Sequence, residues 1–294
     1  MRASVTAALL AVSAIVSNPA VAATNWSAVD QALGRAGVVP SGHVHRYGFP
    51  RTDLQVTLDG VALKPALALG SWAAFTDMGN HAEVMGDLVL TQEEVNPVLS
   101  LLLANGLTIT ALHNHLLRST PATMYMHIHG NGDAVKLATG IRLALGASAT
   151  PMGLPVTATV HPPAISTVTL DAALKGKGKV NGGVVAYGFP RAERITEGGH
   201  PVPPTLGLAT AINIQPTGNG NAVATGDFVL LGSEVDPVLR ALRSGGIEVT
   251  ALHNHLASEE PRLFFMHFWG NGPVQKLAAG LSSALDRMNL IRAR

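Results

Sequence analysis

Cysteine is absent from the chain, which excludes disulfides, thiolate metal ligands and the acylated cysteine of a lipoprotein anchor. Charge is sparse as well: Asp, Glu, Lys and Arg together make 13% and the formal net charge is +1. Without a lysine- or arginine-rich block the chain lacks the electrostatic footprint of a nucleic-acid surface, and no such partner is expected. Aromatic residues make only 4%. The apolar run from Val5 to Val16 is shorter than the ~20 residues a membrane-spanning helix needs, so no transmembrane anchor is expected. Arg2 before that run and Ala20-Val21-Ala22 after it read as a secretory signal peptide over residues 1–23. That address is periplasmic or secreted.

What the chain does have is a repeat. Thr110-Ala-Leu-His-Asn-His-Leu116 returns as Thr250 to Leu256, and Tyr47-Gly-Phe-Pro-Arg51, Gly86-Asp87, Pro97-Val-Leu99, His127 and Gly130-Asn-Gly132 all return at the same offset. So long a period means a duplicated domain rather than a solenoid, whose units run to roughly 20–50 residues. The expected organisation is a first repeat domain over 24–150, a Pro-rich linker over 151–165 and a second repeat domain over 166–294.

Within each copy the pattern predicts a short helix (Trp26 to Arg35, Val168 to Leu174), then a strand ending at the Tyr-Gly-Phe-Pro-Arg motif. A hairpin follows (Ala66 to Phe75 with His81 to Leu90; Leu206 to Gln215 with Asn221 to Leu231). Asn96-Pro97 and Asp236-Pro237 read as helix starts, and Asn105-Gly106 and Gly245-Gly246 as helix stops. A strand from Leu107 to Leu117, one from Thr123 to His129, and a last helix from about Asp133 to Leu145 complete the first copy. The fold class is α+β: two tandem homologous domains, each an antiparallel sheet with helices packed on one face, arranged as a pseudo-twofold pair.

Strand alternation puts His113 and His115 on one face and Asn114 on the other, while Tyr125, His127 and His129 share a face of the next strand. A hairpin closing symmetrically over residues 118–122 sets His113 opposite His127 and His115 opposite Tyr125. Cross-strand neighbours at ~4.5–5.5 Å between Cβ atoms can share one metal ion. His113, His115, His127 and His129 are therefore the candidate metal ligands, with His253, His255 and His267 as their second-copy counterparts. Zinc suits three converging imidazoles best, and copper or iron fit them too. Hydrogen-bonded structural histidines would show the same spacing.

The first copy carries His43, His45, His81 and His129 where the second has Gly183, Val185, Asn221 and Trp269, which predicts a better-equipped site in the first; the second adds only His200. Glu83 and Asp87 are the candidate catalytic carboxylates. Arg51 and Tyr125 are the candidate substrate-binding residues, although Arg51 and Arg191 equally suit structural ion pairs with Asp87 and Asp227. Glu94 and Glu234 read first as local helix-end residues. Gly130-Asn-Gly132 precedes a helix start and offers amides to an anionic group, or is a plain turn. Met124 and Met126 point away from the histidines, towards a core.

Ala66-Leu-Ala-Leu-Gly-Ser-Trp72, Gly86-Asp-Leu-Val-Leu90, Glu94-Val-Asn-Pro-Val98, Thr110 to Leu117 and Tyr125-Met-His127 resemble the LppY/LpqO-like family of exported bacterial proteins, over nearly the whole mature chain. The resemblance implies a tandem domain and an exported address, and it supplies no substrate. The expected function is an exported metal-binding protein acting on a small-molecule or metal ligand. Its form is either a metal-dependent hydrolase or lyase using a metal-activated water, or a non-catalytic binding protein, or a structural envelope protein.

Overall fold

The computed structural model describes residues 24–40, 43–153 and 165–292; the signal peptide expected over 1–23 and most of the expected linker lie outside the described residues. The first copy runs α1 (Trp26–Leu33), β1 (Val44–Pro50), the small hairpin β2 (Thr57–Leu58) and β3 (Val61–Ala62), α2 (Pro65–Ala68), β4 (Gly70–Asp77), β5 (Ala82–Thr91), α3 (Gln92–Ala104), β6 (Thr108–His113), β7 (Thr123–Gly132) and α4 (Ala134–Leu145). The second runs α5 (Thr167–Leu174), β8 (Lys179–Asn181), β9 (Val184–Pro190), β10 (Thr196–Glu197), β11 (His200–Pro201), β12 (Ala209–Gly218), β13 (Asn221–Leu231), α6 (Val235–Ser244), β14 (Glu248–His253), β15 (Leu263–Pro273) and α7 (Val274–Leu285). The sheet orders are β1-β4-β5-β7-β6 and β14-β15-β13-β12-β9-β8, the same arrangement with one added edge strand, β8. All the pairings are antiparallel.

Each sheet buries one face under its own helices. In the first copy Tyr47, Phe49, Phe75, Val84 and Met126 pack against Val29, Leu102 and Ile141, and in the second Tyr187, Phe189, Phe228 and Phe268 pack against Leu174, Leu242 and Leu281. Met126 and Met124 thus face that core, away from the histidines. The other face of each sheet packs on the other copy. The connection from β1 to β4 sends Leu63, Leu67 and Leu69 against Val184, Val223 and Trp269. The connection from β9 to β12 sends Ile195, Val202 and Leu206 against Val44, Ala74 and Met85. Gln215 fixes the crossing by accepting from the Lys64 amide and donating to the Ala62 carbonyl, both at 2.8 Å.

Two helix boundaries differ from the sequence expectation. Helix α3 starts not at Asn96-Pro97 but at Gln92, because Thr91 and Glu94 form a capping box that satisfies the first free amides. In the second copy a 3-10 turn over Gly232–Glu234 occupies that place, and α6 begins at Val235. Strand β4 also begins later than expected, at Gly70 rather than Ala66, since Pro65–Ala68 forms a helical turn whose first position suits proline.

The β6–β7 register is displaced by two residues: His113 faces Tyr125 and Ala111 faces His127, with a bulge between Ile109 and Ala111. The connecting loop is not a symmetric hairpin, because Thr120 is pulled aside into a two-bond pairing with Thr57. An even displacement preserves the alternation of faces, so the histidines stay on the expected side. Gly86 and Gly226 sit beside this row, where a Cβ would lie 2.6 Å from the Trp72 carbonyl oxygen and 2.0 Å from that of Ala211. Glycine there allows the close strand approach that brings Asp87 and Asp227 level with His127 and His267.

A histidine cluster between the two copies

The face that each sheet turns to the other carries His113, His115, His127 and Asp87 in the first copy and His253, His255, His267 and Asp227 in the second. These residues meet. The His113 and His253 rings lie 3.6 Å apart, His115 stacks on His267 at 3.6 Å and His127 lies 3.7 Å from His255. Outside these pairs Tyr125 stacks on His115 at 3.5 Å and Phe265 on His255 at 3.4 Å, so each of the two histidines lies between two rings. The Tyr125 hydroxyl donates to the Ala68 carbonyl at 3.0 Å, which commits its polar end to the scaffold.

The protonation pattern follows from the neighbours. His267 Nδ1 is 3.0 Å from the Gly226 carbonyl oxygen and His253 Nδ1 is 3.1 Å from that of Asn254. A carbonyl only accepts, so both protons sit on Nδ1 and both Nε2 atoms present lone pairs. Those Nε2 atoms are 2.9 Å apart, and His113 Nε2 is 3.3 Å from His267 Nε2. Burial, reinforced by the other histidines, holds His115, His127, His255 and His267 well below the usual imidazole range, and holds His113 down to about 3. Neutral rings with converging lone pairs repel unless a cation lies between them. Two bonds of about 2.0–2.1 Å to one ion place their nitrogens about 2.9 Å apart at a right angle and about 3.3 Å apart at a tetrahedral angle.

Asp87 Oδ2 lies 3.7 Å from His115 Nε2 and Asp227 Oδ2 lies 3.5 Å from His255 Nε2. Burial pushes the Asp87 carboxyl up to about 7, with Arg46 pulling the other way. Asp227 is raised well above the carboxylate range by burial and then by Asp87 itself. Arg46 has Ala186 in its place in the second copy; its guanidinium lies over the Trp72 ring at 3.8 Å. Aligning the copies by residue would have found it, but only the fold shows that it faces Asp87. Asp87 Oδ1, His113 Nδ1, His115 Nε2, His127 Nε2, Asp227 Oδ1 and His255 Nε2 are all buried without a hydrogen-bond partner.

Other candidates lie elsewhere. Histidine 129, expected as a fourth ligand, instead bonds Glu83 at 3.0 Å. Glu83 sits opposite Asn131 while Asp87 sits opposite His127, four residues away or about 13 Å along the strand. His45 stacks on Trp26 at 3.8 Å, His81 contacts Asn80, and His43 is exposed. The four additional histidines of the first copy thus leave the cluster unaltered, and the expectation of a richer first-copy site is corrected: both copies contribute three.

Arg51 is fully buried and spends its guanidinium on Asp53, Glu94 and the Val89 carbonyl, not on Asp87 or an outside anion. Arg191 does the same with Glu193, Glu234 and Val229. The Gly130-Asn-Gly132 segment lies in β7, and the α4 start is capped by Asp133, whose carboxylate accepts from the Lys136 amide. Its own acid takes the place that an anionic ligand was expected to fill.

The family model described as a domain of unknown function (DUF1259) matches residues 27–147 and again 168–287. The chain belongs to that family, in two tandem copies. No curated protein matches. Among solved structures, the trimeric bacterial microcompartment shell protein PduB is 11% identical with a TM-score of 0.24, covering 87% of this chain and 96% of its own. The double-ringed trimeric shell protein MSM0271 is 10% identical with a TM-score of 0.19, covering 74% and 88%.

Proposed function

We propose that this member of the DUF1259 family is an exported metal-binding protein, and that its ion sits among the histidines where the two copies meet. The observation that carries this is the approach of His253 Nε2 and His267 Nε2 to 2.9 Å while both Nδ1 atoms are committed to carbonyls. Neither ring has a proton for the other. The cost supports the same reading. Six unpartnered buried polar atoms at ~1–3 kcal/mol each amount to roughly 6–18 kcal/mol, as much as the ~5–15 kcal/mol net stability of a whole domain. Binding of a structural zinc ion, at ~10–16 kcal/mol, is of the size needed to offset it. Water can donate to the lone pairs, but it brings no charge to two buried carboxylates. Zinc is the ion expected first, with copper or iron as alternatives. The LppY/LpqO-like resemblance supports the exported address.

We also propose that the copies associate as a pseudo-twofold pair. His115 on His267 and His127 on His255 are one contact with the copies exchanged, at 3.6 and 3.7 Å. Elemental analysis of the purified full chain tests the metal reading. Bound transition metal at stoichiometric amounts is expected, and metal-free protein that takes up neither zinc nor copper on titration would overturn it.

One observation favours catalysis over simple binding. Two carboxyl groups lie beside the histidines, Asp87 Oδ2 at 3.7 Å from His115 Nε2 and Asp227 Oδ2 at 3.5 Å from His255 Nε2, and a carboxylate next to an ion would accept the proton of a metal-activated water, as a metal-dependent hydrolase or lyase requires. Turnover that is lost with chelator and restored by returning the metal would support the enzyme; metal binding without turnover of any small-molecule ester, phosphoester or lyase substrate supports the binding protein.

A further inference from the structure

Among the described residues, four sets of three bring their donor atoms within 4.8 Å of one another: His113/His115/His127, His113/His253/His267, His127/His253/His255 and Asp227/His255/His267. The first and the last have no residue in common, and each comes from a single copy. Every other pairing of sets shares a histidine, so the other sets compete for ligands.

The unpartnered atoms discriminate between one ion and two. A single ion in the mixed set His113/His253/His267 leaves His115 Nε2, His127 Nε2, His255 Nε2, Asp87 Oδ1 and Asp227 Oδ1 buried and unbonded. Ions in both single-copy sets engage His115, His127, His255 and Asp227. They also bring a cation beside Asp87, whose Oδ2 is 3.7 Å from His115 Nε2. His253 joins the second set through the 2.9 Å approach of its Nε2 to that of His267. The result is Asp87, His113, His115 and His127 on one side and Asp227, His253, His255 and His267 on the other. These are equivalent residues of the two copies, and four N/O ligands per ion is the usual number for zinc.

We infer that the cluster is a dinuclear centre in which each copy holds one divalent transition-metal ion through three histidines and one aspartate. This rests on the metal-binding reading above and goes beyond it in stoichiometry and in ligand sets. It also gives the duplication a chemical meaning: each copy repeats a complete ligand set, and packing the sheets face to face brings the two ions together. Two ions held by these residues would supply Lewis-acid stabilisation of the charge that develops on attacking and leaving oxygens in a displacement reaction.

The test is titration of the metal-stripped full chain with zinc and with cobalt, read by calorimetry, by elemental analysis after gel filtration and by the visible bands of four-coordinate cobalt. Saturation at two ions per chain is expected. Asp227→Asn combined with His255→Ala should remove one ion and leave the bands of the other, and Asp87→Asn with His115→Ala should do the converse; circular dichroism of the metal-free variants controls for folding. Saturation of the parent at one ion per chain, weakened alike by His113→Ala, His253→Ala and His267→Ala, would overturn the dinuclear centre while leaving metal binding intact. Absence of any binding by the parent would overturn both.

Discussion

The two copies differ in histidine number, and that difference has no bearing on the cluster. His43, His45, His81 and His129 of the first copy stack on Trp26, bond Asn80 and Glu83, or sit exposed, while three histidines and an aspartate from each copy meet between the sheets. The differences that do touch the cluster are quieter. Arg46 against Ala186 biases one carboxyl, and Tyr125 against Phe265 changes a ring whose hydroxyl is turned to the scaffold. A residue type matters to a site by the face it occupies, and two strand positions apart along the same face is already about 7 Å.

The largest expected effect tests how alike the scaffolds are. Arg51→Ala strands Glu94 and Asp53, and Arg191→Ala strands Glu234 and Glu193. Removing one partner of such a buried pair costs about 3–5 kcal/mol. Urea denaturation should show losses of that size, similar in the two copies. A loss confined to one copy would break the structural equivalence.

Next is the site itself. His113→Ala and His253→Ala should each weaken zinc binding by about 10-fold or more, which is ~1.4 kcal/mol, and by comparable factors. Calorimetry that finds only the first-copy variant impaired would return the site to a single copy.

Acidity should separate ligands from carboxylates. The cluster histidines have folded values below the unfolded value of about 6.5, so their contribution is present above that pH and is lost as pH falls towards the folded value, about 3 for His113. Asp87 runs oppositely: raised to about 7, its contribution is full below about 3.9 and disappears as pH climbs through 7. Six imidazoles outnumber two carboxyls. The metal-free chain should therefore melt at a lower temperature at pH 5 than at pH 7.5, and His115→Phe and His255→Phe should flatten that dependence similarly. A melting temperature that rises on acidification would mean that the carboxyls dominate.

Smaller still is the bias from Arg46. Arg46→Ala should raise the Asp87 titration further and Ala186→Arg should lower that of Asp227, which carboxyl infrared bands followed against pH would report. If neither band moves, Arg46 does not distinguish the copies. The smallest effect belongs to His129→Trp, which copies the second domain's residue into the first: metal stoichiometry and affinity should stay as they were, and a lost ion would reinstate His129 as a ligand.

Much of this was readable in one dimension. A repeat at constant offset declares two homologous domains, period-two alternation assigns His113, His127 and Tyr125 to one face, and Met126 to the core, because these depend on local backbone geometry alone. The helix start at Gln92 was also written locally, in Thr91 and Glu94, but the Asx-Pro pair four residues later is the louder signal. Register was not readable, because it depended on Thr120 finding Thr57 across the chain. The partners of Arg51 were hidden for the same reason, since Glu94 reaches it only when β1 and the β5–α3 corner are packed together. Above all, no spacing in the chain announces that His113 would rest on His253 at 3.6 Å. Alternation tells each sheet which face is polar, whereas burying two such faces against each other is decided by packing, when Leu63, Leu67, Ile195 and Leu206 cross over to cover the opposite sheet.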